Sequence, residues 1–157
     1  EALPDEERET FKNVIIHAGW YPFDAGEALD KTIVDMLGKG DASVFEQIGA
    51  QSAKENLTTI HQTFLTPGKP HAFMEQANLI YGFYYDKGRR TYEKTGPHSG
   101  VMTTHDAETF SAVDCLTVTG WYRTALEMCG AKNVQIKETR CRAKGDSVCR
   151  CEISWTI

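Results

Sequence analysis

The chain has no long apolar run, which excludes a membrane-spanning helix of the usual kind. It has no basic excess either: 17 Lys and Arg stand against 22 Asp and Glu, a formal net charge of −5. A nucleic-acid surface needs clustered positive charge, so that class of partner is not expected. No Gly-x-Ser-x-Gly elbow, phosphate loop or dinucleotide fingerprint occurs. The Gly-Lys-Gly at 38–40 lacks the spacing of a phosphate loop. His17, His61, His71, His98 and His105 are scattered, with no pair at helical spacing, and each is expected at the surface or capped. No secretory leader is visible, so the compartment is expected to be cytoplasmic. One catalytic reading is left, a Cys115 nucleophile helped by His105 at a helix N-terminus. No oxyanion-stabilising loop accompanies it, and the chain is not expected to be an enzyme.

What the sequence does have is a dense tail. All five cysteines lie between Cys115 and Cys151. Residues 112–129 carry helical periodicity through Val113, Leu116, Gly120, Thr124 and Met128, and Gly130 can end that helix. Val134 to Thr139 alternates in the manner of a strand, and so does Cys149 to Trp155, whose odd-numbered side is predicted to be buried. Residues 143–146 make the turn between them. Along the helix Cys115 and Cys129 are about 21 Å apart, so they cannot share a ligand. The following strand runs back by roughly the same length, which brings Glu138 and Cys141 level with Cys115, and Cys149 lies across the turn. Three thiolates and a carboxylate would make a closed tetrahedral site of the structural zinc type. Plain core thiols, or a Cys141–Cys149 disulfide in an exported protein, satisfy the same spacing.

The spacing Cys-x22-Glu-x2-Cys-x7-Cys, with the text GAKNVQIKETRCRAKGDSVCRCEISW, resembles the 4-vinyl reductase domain superfamily. That group includes sensory domains of phenol- and xylene-responsive bacterial activators and is related to the small TRAPP trafficking subunits. The resemblance covers residues 112–155. It implies zinc held by Cys115, Glu138, Cys141 and Cys149.

Ahead of the tail, residues 3–18, 25–37, 41–65 and 71–85 read as helices. Residues 20–23 form an aromatic linker expected to be a packed corner. The third helix has an unusually polar face from Gln51 to Gln62. Residues 89–95 and 100–105 read as a hairpin around Gly96-Pro97, with so polar an alternation that one face must be wet or near a sheet edge. The order is four helices, hairpin, helix, hairpin: an α+β fold with a small antiparallel sheet, in a single domain over residues 1–157. The expected function is a non-catalytic sensory domain that binds a small, apolar or aromatic molecule. Phe73, Tyr81, Tyr84, Trp121 and Tyr122 are the candidate pocket residues, although an aromatic stripe at this spacing also serves as core. A homodimer or a regulatory protein partner is expected to receive the signal. The alternative is a TRAPP-like interaction module without a small ligand.

Overall fold

The computed structural model describes residues 3, 5–12, 15 and 19–157. Among the described residues, six α-helices, two short 3-10 turns and four strands follow one another as α1 (Asp5–Lys12), α2 (Phe23–Met36), α3 (Val44–Thr58), α4 (Pro70–Met74), α5 (Ala77–Tyr81), β1 (Arg89–Gly96), β2 (Ser99–His105), α6 (Ala112–Met128), β3 (Lys132–Arg140) and β4 (Cys149–Thr156). The 3-10 turns cover Gln62–Phe64 and Arg142–Lys144. This is the α+β architecture expected, with an antiparallel sheet ordered β1-β2-β4-β3. The chain divides into two compact units, residues 1–44 and 45–157. No described helix is long and apolar enough to cross a membrane.

In the first unit α1 packs on α2, and Arg8 bridges Asp5 at 3.0 Å. The expected helix over residues 3–18 is described only as far as Lys12, and His17 lies outside the described residues. The aromatic linker is exposed, with Trp20 62 % and Tyr21 43 % accessible, so it is not a packed corner. Met36 and Leu37 are also exposed, and Ala25 is the buried residue of α2.

In the second unit the sheet packs one face against α6, α4 and α5. Met102, Cys151, Ile153 and Trp155 meet Phe73, Ile80, Trp121, Tyr122 and Leu126 in one core. The odd side of β4 is buried as the alternation requires. β1 is an edge strand, which explains its polar alternation.

Two helices differ from expectation. The predicted helix over 41–65 is shorter, Val44–Thr58. Its buried stripe is Phe45, Gly49, Ala53 and Leu57, while Ile48 is partly exposed. Gly49 and Gly120 let two helices approach backbone to backbone. A Cβ at Gly120 would stand 2.0 Å from the Glu46 carbonyl oxygen, and one at Gly49 2.1 Å from that of Thr117. Arg123 clamps the crossing with a 2.6 Å ion pair to Glu46. The predicted helix over 71–85 breaks at Glu75–Gln76, where the Gln76 amide donates to the carbonyls of Phe64 and Ala72 and ties the turn to the preceding loop.

Candidate cysteine-lined site

The first turn of α6, the end of β3 and the start of β4 converge at one point. Ser111 caps α6 by accepting from the Asp114 amide at 3.0 Å, which fixes Cys115 one turn in. After β3 the chain turns sharply. The Asp146 carboxylate accepts from the Cys141 amide at 2.8 Å, and Gly145 takes the left-handed backbone conformation (φ 98°) that the turn requires. Cys149 then opens β4. The sulfurs of Cys115, Cys141 and Cys149 all lie within 4.8 Å of one another, with 3.6 Å from Cys115 to Cys141 and 3.9 Å to Cys149. Cys141 is buried, and the other two are half-buried.

Glu138 does not complete the set. Its carboxylate is engaged by Lys144 at 2.5 Å, although it lines the neighbouring cavity. Cys129 sits buried at the far end of α6 beside Thr66, as the helix length requires. Cys141 and Cys149 are free thiols, not a disulfide.

The three thiols are not equivalent. Cys149 accepts from the Cys115 thiol and from the Arg142 amide at 3.3 Å. The Cys115 bond above all holds its pKa down at about 6, against the opposing effect of burial. Cys115, the donor in that bond, is shifted strongly upward by it and by burial, and so keeps its proton. Burial raises Cys141, and it pushes neighbouring Cys151 up to about 12.

A small cavity of about 30 Å³ adjoins the thiols, lined by Tyr85, Arg90, Asp114, Cys115, Glu138 and Cys149 among others. Arg90 is buried with its guanidinium 4.9 Å from the Tyr81 ring centre and 5.5 Å from that of Tyr122, and its Nε donates to Thr104. Tyr85 donates to the Asp114 carboxylate at 2.6 Å, and burial raises the pKa of both. Sequence reasoning missed Arg90 and Asp114. The available signal was the phase of β1, which puts Arg90 on the same side as half-buried Tyr92.

Of the five aromatic residues expected to line a pocket, Phe73, Trp121 and Tyr122 pack against one another with ring centres 5.1–6.3 Å apart. Tyr84 is 42 % exposed, and Tyr81 alone borders the cavity. His71 is held by Tyr92 and the Pro97 carbonyl, both at 2.8 Å. His105 bonds Thr91 at 3.0 Å.

No protein-family description matches the chain, and no curated protein sequence matches it. Solved structures do. The chain is similar to an H-NOX protein from S. oneidensis in its Fe(II)NO state, at 13% identity and TM-score 0.71 over 98% of this chain and 88% of that one. An H-NOX structure solved to explain H-NOX activation is similar at 11% identity and TM-score 0.72, over 98% and 85%. An oxygen-binding H-NOX domain related to soluble guanylate cyclases is similar at 11% identity and TM-score 0.70, over 98% and 84%. The chain has the H-NOX fold.

These findings correct two expectations. The 4-vinyl reductase resemblance rests on residues 112–155 alone, whereas the H-NOX likeness runs over 98% of the chain. Zinc is overturned as the cofactor: the group named for a structural neighbour is haem. Among the described residues the ligand atoms that lie within 4.8 Å of one another are the three thiols, without a fourth donor.

Proposed function

We propose that this chain is a non-catalytic sensory domain on the H-NOX fold whose small ligand is held by cysteine sulfur. The observation that carries the reading is the convergence of three thiols from α6, the β3 end and β4.

Haem, the group of a structural neighbour, is the first ligand to test against these residues. A haem-sized ligand needs a pocket of roughly 300–1,000 Å³. The cavity beside the thiols has about 30 Å³, space for a water-sized guest, and none of the described histidines lines it. The residues around this cavity therefore do not fit a porphyrin. A larger apolar ligand is excluded by the same volume, although Met102, Phe110 and Val118 line the space beside Arg90, Asp114 and Glu138.

A bare ion fits. Three sulfurs around one ion with bonds of about 2.3 Å in a plane would lie about 4.0 Å apart. The observed 3.6 and 3.9 Å are close to that spacing. Soft ions that accept three thiolates, cuprous copper foremost, suit such a set. Binding would fasten the first turn of α6 to the β3–β4 turn and favour one arrangement of helix on sheet, which is the form a regulatory output takes.

The test is a titration of the reduced chain with a cuprous salt under nitrogen, read by the ultraviolet thiolate-to-metal absorption. Saturation at a single ion per chain is expected, lost in C115S, C141S or C149S and kept in C129S. A signal that survives the triple serine variant, or never saturates, overturns the reading.

A further inference from the structure

We propose that the cavity beside Arg90 is a binding site for one small monovalent anion of halide size, held by the buried guanidinium. Arg90 is 6% exposed. A guanidinium carries five N–H donors and is tolerated in the interior only where its donors and its charge are answered. Its Nε donates to the Thr104 hydroxyl at 3.0 Å, straight across the β1–β2 pairing. Among the described residues that is its one side-chain hydrogen bond, and it makes no ion pair. The donors of its two terminal nitrogens are left over, and Arg90 lines the cavity of about 30 Å³. The Tyr122 hydroxyl, on a ring centred 5.5 Å from the guanidinium carbon, is also buried without a partner.

The guanidinium is held in place before any ligand arrives. Its carbon lies 4.9 Å from the Tyr81 ring centre. That ring is fixed in turn: the Tyr81 hydroxyl donates to the Lys87 carbonyl at 2.6 Å, and the ring stacks on Tyr85 at 4.8 Å. The Arg90 amide donates to the Asn78 side chain at 2.9 Å, which pins β1 to α5. Aromatic faces attract the positive charge but are poor acceptors for its N–H groups.

Size and charge select the ligand. The volume admits one water or one anion of very few atoms. Water would accept some of the leftover hydrogen bonds and leave the charge unanswered, whereas an anion answers both and makes the stronger, charge-assisted bonds. Asp114 and Glu138 face the same cavity, but Asp114 accepts from the Tyr85 hydroxyl at 2.6 Å and Glu138 is paired with Lys144 at 2.5 Å. Both carboxylates oppose a multiply charged anion, and the volume excludes sulfate or phosphate as well. Cys115 and Cys149 also border the space. The anion is held through nitrogen and needs no ion at the thiols, so it stands or falls separately from the copper titration.

The test uses the reduced full chain with a chelator present. Sodium bromide replaces sodium gluconate at constant ionic strength over the millimolar range, gluconate being too large to enter, and Tm is followed by calorimetry. The expected result is a rise that saturates, roughly 3–6 °C at ten times Kd. It should be lost in Arg90→Gln and kept in Arg89→Gln, whose side chain is exposed at the start of the same strand. Bromide-soaked crystals then locate the ion by anomalous scattering, with a peak in contact with the Arg90 guanidinium. A rise that never saturates, one that survives Arg90→Gln, or a water at that position with bromide on the surface alone would each overturn the proposal. The wild-type bromide map decides the matter even if Arg90→Gln fails to fold.

Discussion

The hydrogen bond from Cys115 to Cys149 makes a sharp kinetic prediction for the reduced, metal-free chain. With its pKa at about 6, Cys149 is half thiolate at pH 6. An ordinary cysteine near 8.5 is then about 0.3% thiolate, so the populations differ roughly 160-fold. A low-pKa thiolate is also a weaker nucleophile, by about 13-fold for 2.5 units at a Brønsted slope near 0.45. The net advantage of Cys149 is therefore about tenfold at pH 6 and only about twofold at pH 7. The assay is the rate of reaction with a dipyridyl disulfide between pH 4 and 9, with the site identified by peptide mapping. Cys115→Ala removes the donor and should move the Cys149 midpoint up towards an ordinary thiol, with the rate at pH 6 falling about tenfold. Cys115→Ser keeps an O–H donor and should restore most of it. A wild-type midpoint near 8.5, or an Ala variant that still titrates near 6, would refute the assignment of Cys115 as donor.

Other outcomes follow from the same geometry. Gly120→Ala gains roughly 1 kcal/mol in helix propensity, but its Cβ meets the Glu46 backbone and overpacking costs about 3 kcal/mol or more. A net loss of about 2 kcal/mol should lower Tm by about 4–8 °C in calorimetry. Asp114 has a raised folded pKa, so its contribution to stability is full below the unfolded carboxyl pKa and is lost as pH rises through the folded value. Asp114→Asn should therefore stabilise the chain at pH 7 in denaturant titrations, with a gain that shrinks towards pH 4. Cys149 has the opposite sign: its contribution is full above pH 9 and lost as pH falls through about 6. In urea titrations of Cys149→Ala the destabilisation should therefore shrink as pH drops from 8 to 5.

The helix over 112–128, the two hairpins and their turns were legible because each is set by short-range pattern and by Gly or Pro punctuation. The meeting of Cys115, Cys141 and Cys149 was legible for a related reason: helix rise and strand rise are fixed lengths, so opposing segments of known residue count return to one level. The stripe of α3 was not, because Gly49 and Ala53 carry little hydrophobic signal although they are what permits close helix packing. The break at Gln76 was hidden as well, since it depends on a side chain reaching the Phe64 carbonyl, twelve residues back.

By itself, then, the sequence determined the order of elements, the α+β class and the set of thiols that can meet. Tertiary structure decided which atoms are available there. The Glu138 carboxylate forms an ion pair with Lys144 and stands outside the close group of three thiols. Cys115 donates to Cys149 and makes two chemically identical side chains unequal. The expected aromatic pocket is largely filled by its own rings, leaving a cavity of about 30 Å³ against buried Arg90 and Asp114. Local pattern fixes how far a chain travels, but hydrogen-bond partners, burial and empty volume arise only when distant segments compete for the same space.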